Sequence, residues 1–413
     1  MSFVLTGCSQ WKTEYKKDER EPLQQSSADF DWKAYQKALY QDRTLIKDCI
    51  ANYQKDTEEL RQKENMKLDF SDCEFESIDE VKGVSVLQEQ TLDVTPEQSV
   101  NTIKRWLKDI HMENIDTNKE LRDASGQYPS DEGKEDSYSW PAVVDHYPDF
   151  KTGRGFFIDT KQCHIQMGSG IYSMSDGTIT RYLGEDAMAG LDAVGANSED
   201  VREEGLVSAL KEKSWELLSG KMTVGEGAEI VKNYFEEGKY FPVAKGVTIE
   251  VPEVSVFALK NKYGYNYKIR RRYEGIPFAY GDNGQRNLYE GYEVAPDIKH
   301  AYVVNDQTVS AYVGQSESSS LKKLGKVQDS ILDCKKAASI LQKSMASELK
   351  VKVQRASFVY CKCTFGEGQK DDPDYFAFPC WEFQGENSNN QEYLHLYVDA
   401  LTGAVYMYGN RID

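Results

Sequence analysis

Residues 393–399 alternate between apolar and polar side chains with a period of two, which predicts a β-strand with one face in a core. The apolar members are Leu394, Leu396 and Val398, and they alternate with Tyr393, His395, Tyr397 and Asp399. The polar face is expected to be partly wet. Thr402-Gly403 follows, and the glycine permits the positive φ of a tight turn, so residues 404–408 are expected to pair back as a hairpin.

Helices are expected where apolar positions recur every three to four residues. Two of them open with a capping box, formed by Thr95 with Gln98 and by Thr223 with Glu226. The expected helices cover residues 32–60, 95–110, 206–218, 223–235 and 333–345. Further strands are expected at 155–167, 171–183, 247–259, 265–273, 302–312, 351–365 and 375–383. This order indicates the α+β class, with antiparallel sheets that are each packed with helices and with repeated helix-plus-hairpin modules.

A chain of 413 residues is long enough for two to four domains, at about 100–200 residues for each domain. Shifts in composition and the repeated modules predict a leader remnant, a tether and three α+β domains. The expected boundaries are 1–7, 8–30, 31–195, 200–320 and 328–413.

Leu5-Thr6-Gly7-Cys8 resembles the lipobox of bacterial lipoproteins, in which an aliphatic residue and two small residues precede a cysteine. The resemblance implies that cleavage after Gly7 makes Cys8 a diacylated N-terminus and that residues 1–7 are the remnant of a truncated signal peptide. Two acyl chains anchor a protein firmly, at about 0.8 kcal/mol for each buried CH₂ group. The alternative is an ordinary cysteine in a polar tail.

Residues 9–30 are charged and nearly without aliphatic side chains, so they cannot bury enough surface to fold and are expected to form a tether. The lipobox and this tether together predict a lipid-anchored protein on the outer face of the bacterial cell membrane. Acidic side chains outnumber basic ones by 68 to 50, which gives a net charge of −18. This charge argues against a general role in binding nucleic acid, because phosphate contacts need a basic surface.

The run Tyr397-Val-Asp-Ala-Leu-Thr-Gly-Ala-Val-Tyr406 resembles the closing hairpin of PepSY-type domains, and Phe378-Pro-Cys-Trp381 is similar to their preceding strand. In the middle domain, Tyr273-Glu-Gly-Ile-Pro-Phe278 resembles the same place in a degenerate copy. The chain as a whole is similar to uncharacterised lipoproteins of Gram-positive bacteria. PepSY-type modules are thought to act by binding, so the resemblance implies a peptidase or a membrane sensor kinase as partner.

Motifs typical of catalysis are not found in the sequence. There is no Gly-x-Ser-x-Gly elbow, Walker loop, dinucleotide-binding glycine run or His-Glu-x-x-His zinc motif. The five histidines are scattered, and His395 is expected to be a surface residue. The acidic residues from Asp131 to Asp136 lack the spacing of a calcium loop and are expected to be solvated. No catalytic residue, metal ligand or cofactor is therefore predicted.

Cys361 and Cys363 lie two residues apart, so they share a strand face. One interpretation makes both of them small apolar core side chains. The other pairs one of them with Cys380 on a neighbouring strand, since an extracytoplasmic location permits a disulfide. The sequence leaves both interpretations open.

Lys268-Ile-Arg-Arg-Arg272 is interleaved with tyrosines, which is typical of a surface that grips an anionic polymer or an acidic partner. Charged residues on an exposed strand also discourage edge pairing, and this second interpretation is favoured. The candidate interaction surface consists of Arg270, Arg272, Tyr393, His395 and Tyr397.

These observations favour a membrane-anchored extracytoplasmic binding or regulatory protein, in which tyrosine-rich sheet faces contact a protein or peptide. The alternatives are a cell-surface hydrolase with an unfamiliar site and a solute-binding lipoprotein. Solute capture needs a two-lobed α/β body, and the chain lacks the alternating pattern of a parallel sheet.

Overall fold

A computed structural model provides the structure of the chain. The residues that the structure describes are 30–63, 67–91, 96–109, 112–117, 122–123, 156–159, 164–168, 171–175, 201–236, 245–259, 261–279, 288–289, 292–294, 299–306, 309–313, 319–347, 349–365 and 374–410.

Side-chain caps fix the beginnings of several helices. In the predicted capping box, Glu226 N donates to Thr223 Oγ1 at 3.1 Å and Thr223 N donates to Glu226 Oε2 at 2.8 Å, which confirms it. Asp333 caps the last helix by accepting a hydrogen bond from Lys336 N at 2.8 Å. The helices are α1 (Trp32–Lys37), α2 (Ile46–Arg61), α3 (Pro96–Asp109), α4 (Val207–Leu210), α5 (Val224–Glu236) and α6 (Cys334–Ser344).

Among the described residues, no helix has both the length and the apolar character needed to span a bilayer.

Strands form most of the regular structure. They are β1 (Thr44–Leu45), β2 (Leu68–Asp69), β3 (Glu74–Phe75), β4 (Val84–Thr91), β5 (Arg122–Asp123), β6 (Phe156–Asp159), β7 (His164–Gly168), β8 (Ile171–Ser175), β9 (Val201–Leu206), β10 (Ser214–Leu217), β11 (Gly220–Thr223), β12 (Val247–Leu259), β13 (Lys262–Tyr273), β14 (Ile276–Pro277), β15 (Leu288–Tyr289), β16 (Tyr292–Val294), β17 (Lys299–Val303), β18 (Val309–Val313), β19 (Ser319–Gln328), β20 (Ser330–Ile331), β21 (Val351–Phe365), β22 (Asp374–Asn387), β23 (Tyr393–Asp399) and β24 (Val405–Asn410). The predicted α+β class is confirmed.

The chain divides into two compact units, each assembled from separate stretches of sequence. Unit 1 comprises Met1–Gln90, Tyr273–Pro296 and Leu321–Asp413, and unit 2 comprises Thr91–Arg272 and Asp297–Ser320. This division differs from the predicted succession of three domains. The reason is pairing between distant strands, such as β4 with β22, which periodicity within a local window does not reveal.

Unit 2 contains a sheet with the strand order β5-β6-β7-β8-β18-β17-β13-β12-β9. Tyr265 and Tyr267 on β13 are fully buried, and their hydroxyls donate to the carbonyl oxygens of Met222 at 2.5 Å and Val224 at 2.7 Å. These bonds fasten the beginning of α5 to the sheet. Trp106 of α3 belongs to the same hydrophobic core.

Unit 1 is built around a sheet with the strand order β15-β16-β21-β22-β23-β24. The short strands β2 and β3 pair in parallel with β21, while β4 joins β22 and in turn pairs with β19. Trp381 is fully buried, and its Nε1 donates to Leu332 O at 2.7 Å. The rings of Phe358 and Tyr53 pack against it, at centroid distances of 5.1 Å and 5.9 Å. This face, against which α2 and α6 pack, is the core of unit 1.

Three local predictions are wrong. The single strand expected over 155–167 is the antiparallel hairpin of β6 and β7. The helix expected over 206–218 is helical only at Val207–Leu210, after which β10 and β11 form a hairpin. Gly220 supplies the turn with a φ of 129°, a conformation that other residues rarely adopt. The single strand expected over 302–312 is the antiparallel hairpin of β17 and β18.

Candidate functional site

Several residues predicted for the site lie on one buried face of the β21–β22–β23 sheet. Glu382 on β22 pairs with Ser357 on β21 and with Tyr397 on β23. Because side chains alternate along a strand, residues two positions apart join them on this face. We name this set the polar stripe. It consists of Ser357, Cys361, Cys363, Cys380, Glu382, Gln384, His395, Tyr397 and Asp399, all of them buried.

Glu382 is the centre of the polar stripe. Its Oε1 lies 2.9 Å from His395 Nδ1, and its Oε2 accepts a hydrogen bond from Ser357 Oγ at 3.2 Å. Burial by itself raises the pKa of this carboxyl. The hydrogen bond and charge of His395 oppose burial, as do hydrogen bonds from Tyr397 and Gln384, and together they bring the pKa of Glu382 below its usual value. Glu382 is therefore ionised at neutral pH, with both of its oxygens occupied inside the protein.

Asp399 is the second buried carboxyl group of the polar stripe. Its Oδ1 accepts hydrogen bonds from Leu401 N at 2.7 Å and Thr402 N at 3.1 Å, and Tyr35 OH donates to its Oδ2 at 2.9 Å. Burial raises the pKa of Asp399 to about 6, although these hydrogen bonds oppose the rise. Asp399 thereby joins α1 to the turn that follows β23.

The three cysteines of the polar stripe are free thiols in the structure, and the sulfur of Cys361 is hydrogen-bonded to those of Cys363 and Cys380. Burial raises the pKa of Cys361 well above its usual value, and of Cys380 to about 11. The hydrogen bond that Cys363 donates to Cys361 and the burial of its thiol both raise the pKa of Cys363. Because the nucleophile is the thiolate, these groups are inert at neutral pH. A disulfide among them stays a prediction.

The predicted wet face of β23 is wrong. His395 and Tyr397 are 7% and 0% exposed, and Tyr393 alone of the three is half-buried. Neighbouring strands lie on both sides of β23, and both of its faces are covered. Alternation along one strand does not reveal a second covered face, because polar side chains that satisfy one another are also buried.

The expected exposure of the arginine strip is also wrong. Its strand, β13, lies between β17 and β12 and is not an edge. The side chain of Arg270 is only 6% exposed and forms an ion pair with Glu250. Arg272 Nε donates to the same carboxylate at 2.9 Å. Arg270 belongs to the interior of unit 2, Arg272 is partly exposed, and both arginines bind a carboxylate of the same unit.

Further predictions fall outside the described residues, among them the lipidation site Cys8, the cap at Thr95 and the acidic segment 131–136. Among the residues that are described, no group of three or more His, Cys, Asp or Glu side chains is arranged to bind a metal ion.

A cleft of about 260 Å³ lies elsewhere in unit 1, between α1 and the strands β4 and β19. We name it the α1 cleft. Trp32 and Tyr35 stack at a centroid distance of 5.6 Å and an interplanar angle of 15° on its α1 side. The lining is mainly apolar and comprises Trp32, Tyr35, Gln36, Leu39, Ser85, Val86, Leu324, Gly325, Lys326, Gln328 and Leu401.

Strand β19 borders the α1 cleft and pairs only with β4 among the described strands. Gly325 interrupts it with a φ of 70°, and a Cβ atom there would lie 2.3 Å from Trp32 Cζ2. Two features therefore require glycine at this position: the backbone conformation and the close approach of the Trp32 indole. The absence of a side chain leaves this stretch of strand backbone open to the cleft.

Sequence reasoning did not find the α1 cleft. Trp32, Tyr35 and Leu39 recur at helical spacing at the start of the segment expected to be helical over 32–60, and a glycine inside a strand, such as Gly325 in β19, is a signal of a bulge or a close backbone approach. What the sequence lacks is any indication that the helix face and this strand come together.

Comparisons with known proteins find only distant structural likenesses. No family model matches the chain, and no curated protein matches it. A solved structure of an uncharacterized protein from Eubacterium rectale is 14% identical, with a TM-score of 0.47, and the match covers 87% of this chain and 99% of that one. The YpeB C-terminal domain from Bacillus megaterium is 8% identical, with a TM-score of 0.28, and the match covers 78% of this chain and 99% of that one. Likenesses at these TM-scores are too weak to assign a function.

Proposed function

We propose that this chain is a lipid-anchored extracytoplasmic binding protein, which captures a segment of a protein or peptide along β19. One observation carries the proposal. The apolar α1 cleft lies beside β19, and β4 is the only described strand that pairs with β19. An extended peptide binds such an edge through its backbone, and pockets beside the edge select its side chains.

The size of the α1 cleft supports capture of a side chain over capture of a whole small molecule. Its 260 Å³ lies below the range of small-molecule sites, which is about 300–1,000 Å³. The indole of Trp32 is partly exposed and stacks on the buried ring of Tyr35, so it offers a rigid contact for one apolar group. A peptide anchored by a single side chain matches these dimensions.

The chemistry of the polar stripe also supports binding over catalysis. Both oxygens of Glu382 are engaged by neighbours, and the three thiols are held in their protonated form. A nucleophile or general base must reach a substrate, whereas these groups reach one another. The polar stripe therefore acts as the rigid interior of the module that presents β19.

The location and the partner come from the sequence. Acylation of Cys8 anchors the chain, and the polar segment 9–30 holds it away from the outer face of the membrane. The PepSY resemblance of the C-terminal part favours a peptidase or the extracytoplasmic part of a sensor kinase as the captured protein.

Photo-crosslinking in living cells tests the binding role. A photoreactive amino acid replaces Lys326, which lines the α1 cleft, and in a matched control it replaces Lys55, whose side chain is 74% exposed on α2. We expect a discrete protein adduct from position 326 alone, and we expect Leu324→Trp, which fills the cleft, to abolish it. Equal adducts from both positions, or none from position 326, would refute the proposal.

Metabolic labelling with an alkyne-bearing fatty acid tests the anchor separately. The native protein is expected to incorporate the label and to sediment with membranes, and Cys8→Ser is expected to lose both properties. Label that persists in this variant would rule out Cys8 as the acylation site.

A further inference from the structure

We infer that the segment captured along β19 is acidic, with one large apolar side chain between its carboxylates. This inference rests on the proposed function, and it specifies the chemistry of the partner at the same site. The partner is thus a protein or peptide with an extended, negatively charged stretch.

The charge of β19 is opposite to that of the chain. Residues Ser319–Gln328 contain three lysines and no acidic residue, whereas the whole chain has a net charge of −18. Lys323 already has partners within unit 1, since its Nζ lies 2.6 Å from Glu274 Oε1 and 5.7 Å from the centre of the Tyr273 ring. Lys322 and Lys326 are exposed and have no ion pair within the described part of the chain. Two lysines are therefore free to meet carboxylates of a ligand.

The two free lysines flank the apolar part of the site. They are four residues apart, which is about 13 Å along an extended strand at about 3.3 Å for each residue. Leu324 lies between them and lines the α1 cleft, as does Lys326 itself. A segment that pairs along this edge and places an apolar side chain in the cleft brings residues on both sides of that side chain near an ammonium group.

The carboxylate at the start of α1 does not compete for these lysines. Asp31 precedes Trp32, and its Oδ1 accepts hydrogen bonds from Lys33 N at 2.9 Å and Ala34 N at 3.0 Å. Its charge is thereby held at the N-terminus of α1, where the helix dipole stabilises it.

An exposed apolar side chain extends the site beyond the cleft. Val327 on β19 is 52% exposed, the highest value for a large apolar residue in the described part of the chain. A segment laid along the edge covers this side chain. The lysines at the same time repel basic segments and a second copy of β19, so selectivity comes from repulsion as well as attraction.

Fluorescence polarisation with labelled peptides tests the inference on the full-length protein. Each peptide has a central phenylalanine between two valines, and its ends carry paired acidic residues, paired glutamines or paired lysines. A fourth peptide has acidic ends and alanine in the centre. Each contact between an exposed lysine and a carboxylate contributes about threefold in affinity, so two contacts give the acidic peptide an advantage of about tenfold over the glutamine peptide. This advantage is expected to shrink between about 50 mM and about 500 mM NaCl, because salt screens exposed charges.

Charge reversal supplies the matched variants. Lys322→Glu/Lys326→Glu is expected to turn the preference toward the lysine peptide, whereas Lys55→Glu, an exposed reversal on α2, is expected to leave the order of affinities unchanged. The alanine peptide is expected to bind at least tenfold more weakly than its phenylalanine counterpart.

The outcomes separate this inference from the proposed function. Equal affinity for acidic and glutamine peptides, or an acidic preference that survives Lys322→Glu/Lys326→Glu, overturns the inference and leaves peptide binding intact. If no peptide of any charge binds and position 326 yields no adduct in cells, both the inference and the proposed function fall.

Discussion

Replacing Asp399 by asparagine isolates the cost of a buried carboxylate in the polar stripe. The substitution keeps the size of the side chain and an oxygen that accepts hydrogen bonds from Leu401 N and Thr402 N, which lie at 2.7 Å and 3.1 Å in the native protein. It removes the titration and replaces the Oδ2 atom, which accepts the hydrogen bond from Tyr35 OH, by an amide NH₂ group. The cost of this second change is the same at every pH of the experiment. The pKa of Asp399 in the folded protein is about 6, above the 3.8 of a free aspartate side chain.

The direction of the pH dependence follows from this order of pKa values. Between about pH 4 and about pH 6 the folded protein holds a proton that the unfolded chain has released, so the contribution of Asp399 to stability falls as the pH rises. The two pKa values differ by about two units, and one unit corresponds to 1.36 kcal/mol, so the loss is about 3 kcal/mol and is complete above about pH 7. Asp399→Asn is free of this loss.

Urea unfolding at pH 4 and at pH 8 measures the effect. The free energy of unfolding of Asp399→Asn, relative to the native protein, is expected to increase by about 3 kcal/mol between these pH values. Asp69→Asn is the matched control. Asp69 also accepts a hydrogen bond from the backbone two residues ahead, at 3.0 Å from Ser71 N, but this bond lowers its pKa, and the group is exposed. Profiles of Asp399→Asn and the native protein that run parallel within about 1 kcal/mol would refute the reasoning.

Three further predictions concern unit 1. Gly325→Ala is expected to lower the free energy of unfolding by about 1–3 kcal/mol, because alanine is strained at a φ of 70° and its Cβ meets Trp32. A smaller cost in a Trp32→Ala background would confirm the steric part, and an equal cost would contradict it. His395→Ala is expected to cost about 1–3 kcal/mol, since it removes a hydrogen-bond partner of the buried Glu382 carboxylate, and adding Glu382→Gln is expected to recover part of this loss. Cys380, with a pKa of about 11, is expected to resist a thiol reagent at pH 7.5 until urea unfolds the protein, and its rapid labelling in the native state would contradict its burial.

The sequence predicted elements well wherever a local signal was strong. The limits of β12, β21 and β23 agree with the strands expected at 247–259, 351–365 and 393–399. The capping box at Thr223 and the cap at Asp333 were read from residue type and spacing, and both form. These features depend on neighbours within a few residues, so a local window contains the necessary information.

The candidate site was less predictable for an equally physical reason. Period two placed His395 and Tyr397 on one face of β23, and this is where they lie. Their polarity suggested water, but Glu382 on the neighbouring strand is the hydrogen-bond partner of both side chains instead. A polar side chain is stable in an interior when its partners are there as well, and those partners are set by strand register.

The amino-acid sequence by itself determined the α+β class, the approximate limits of the long strands β12, β13, β21, β22 and β23, and the acidic balance that argues against nucleic acid. Only the tertiary structure decided that unit 1 is assembled from three distant stretches of chain, that the polar stripe is enclosed, and that α1 meets β19 to form a cleft. This difference between what the sequence and the tertiary structure determined has one cause. Helix caps and strand alternation are fixed by the energies of neighbouring residues, whereas pairing between remote strands is fixed by the burial of the whole unit.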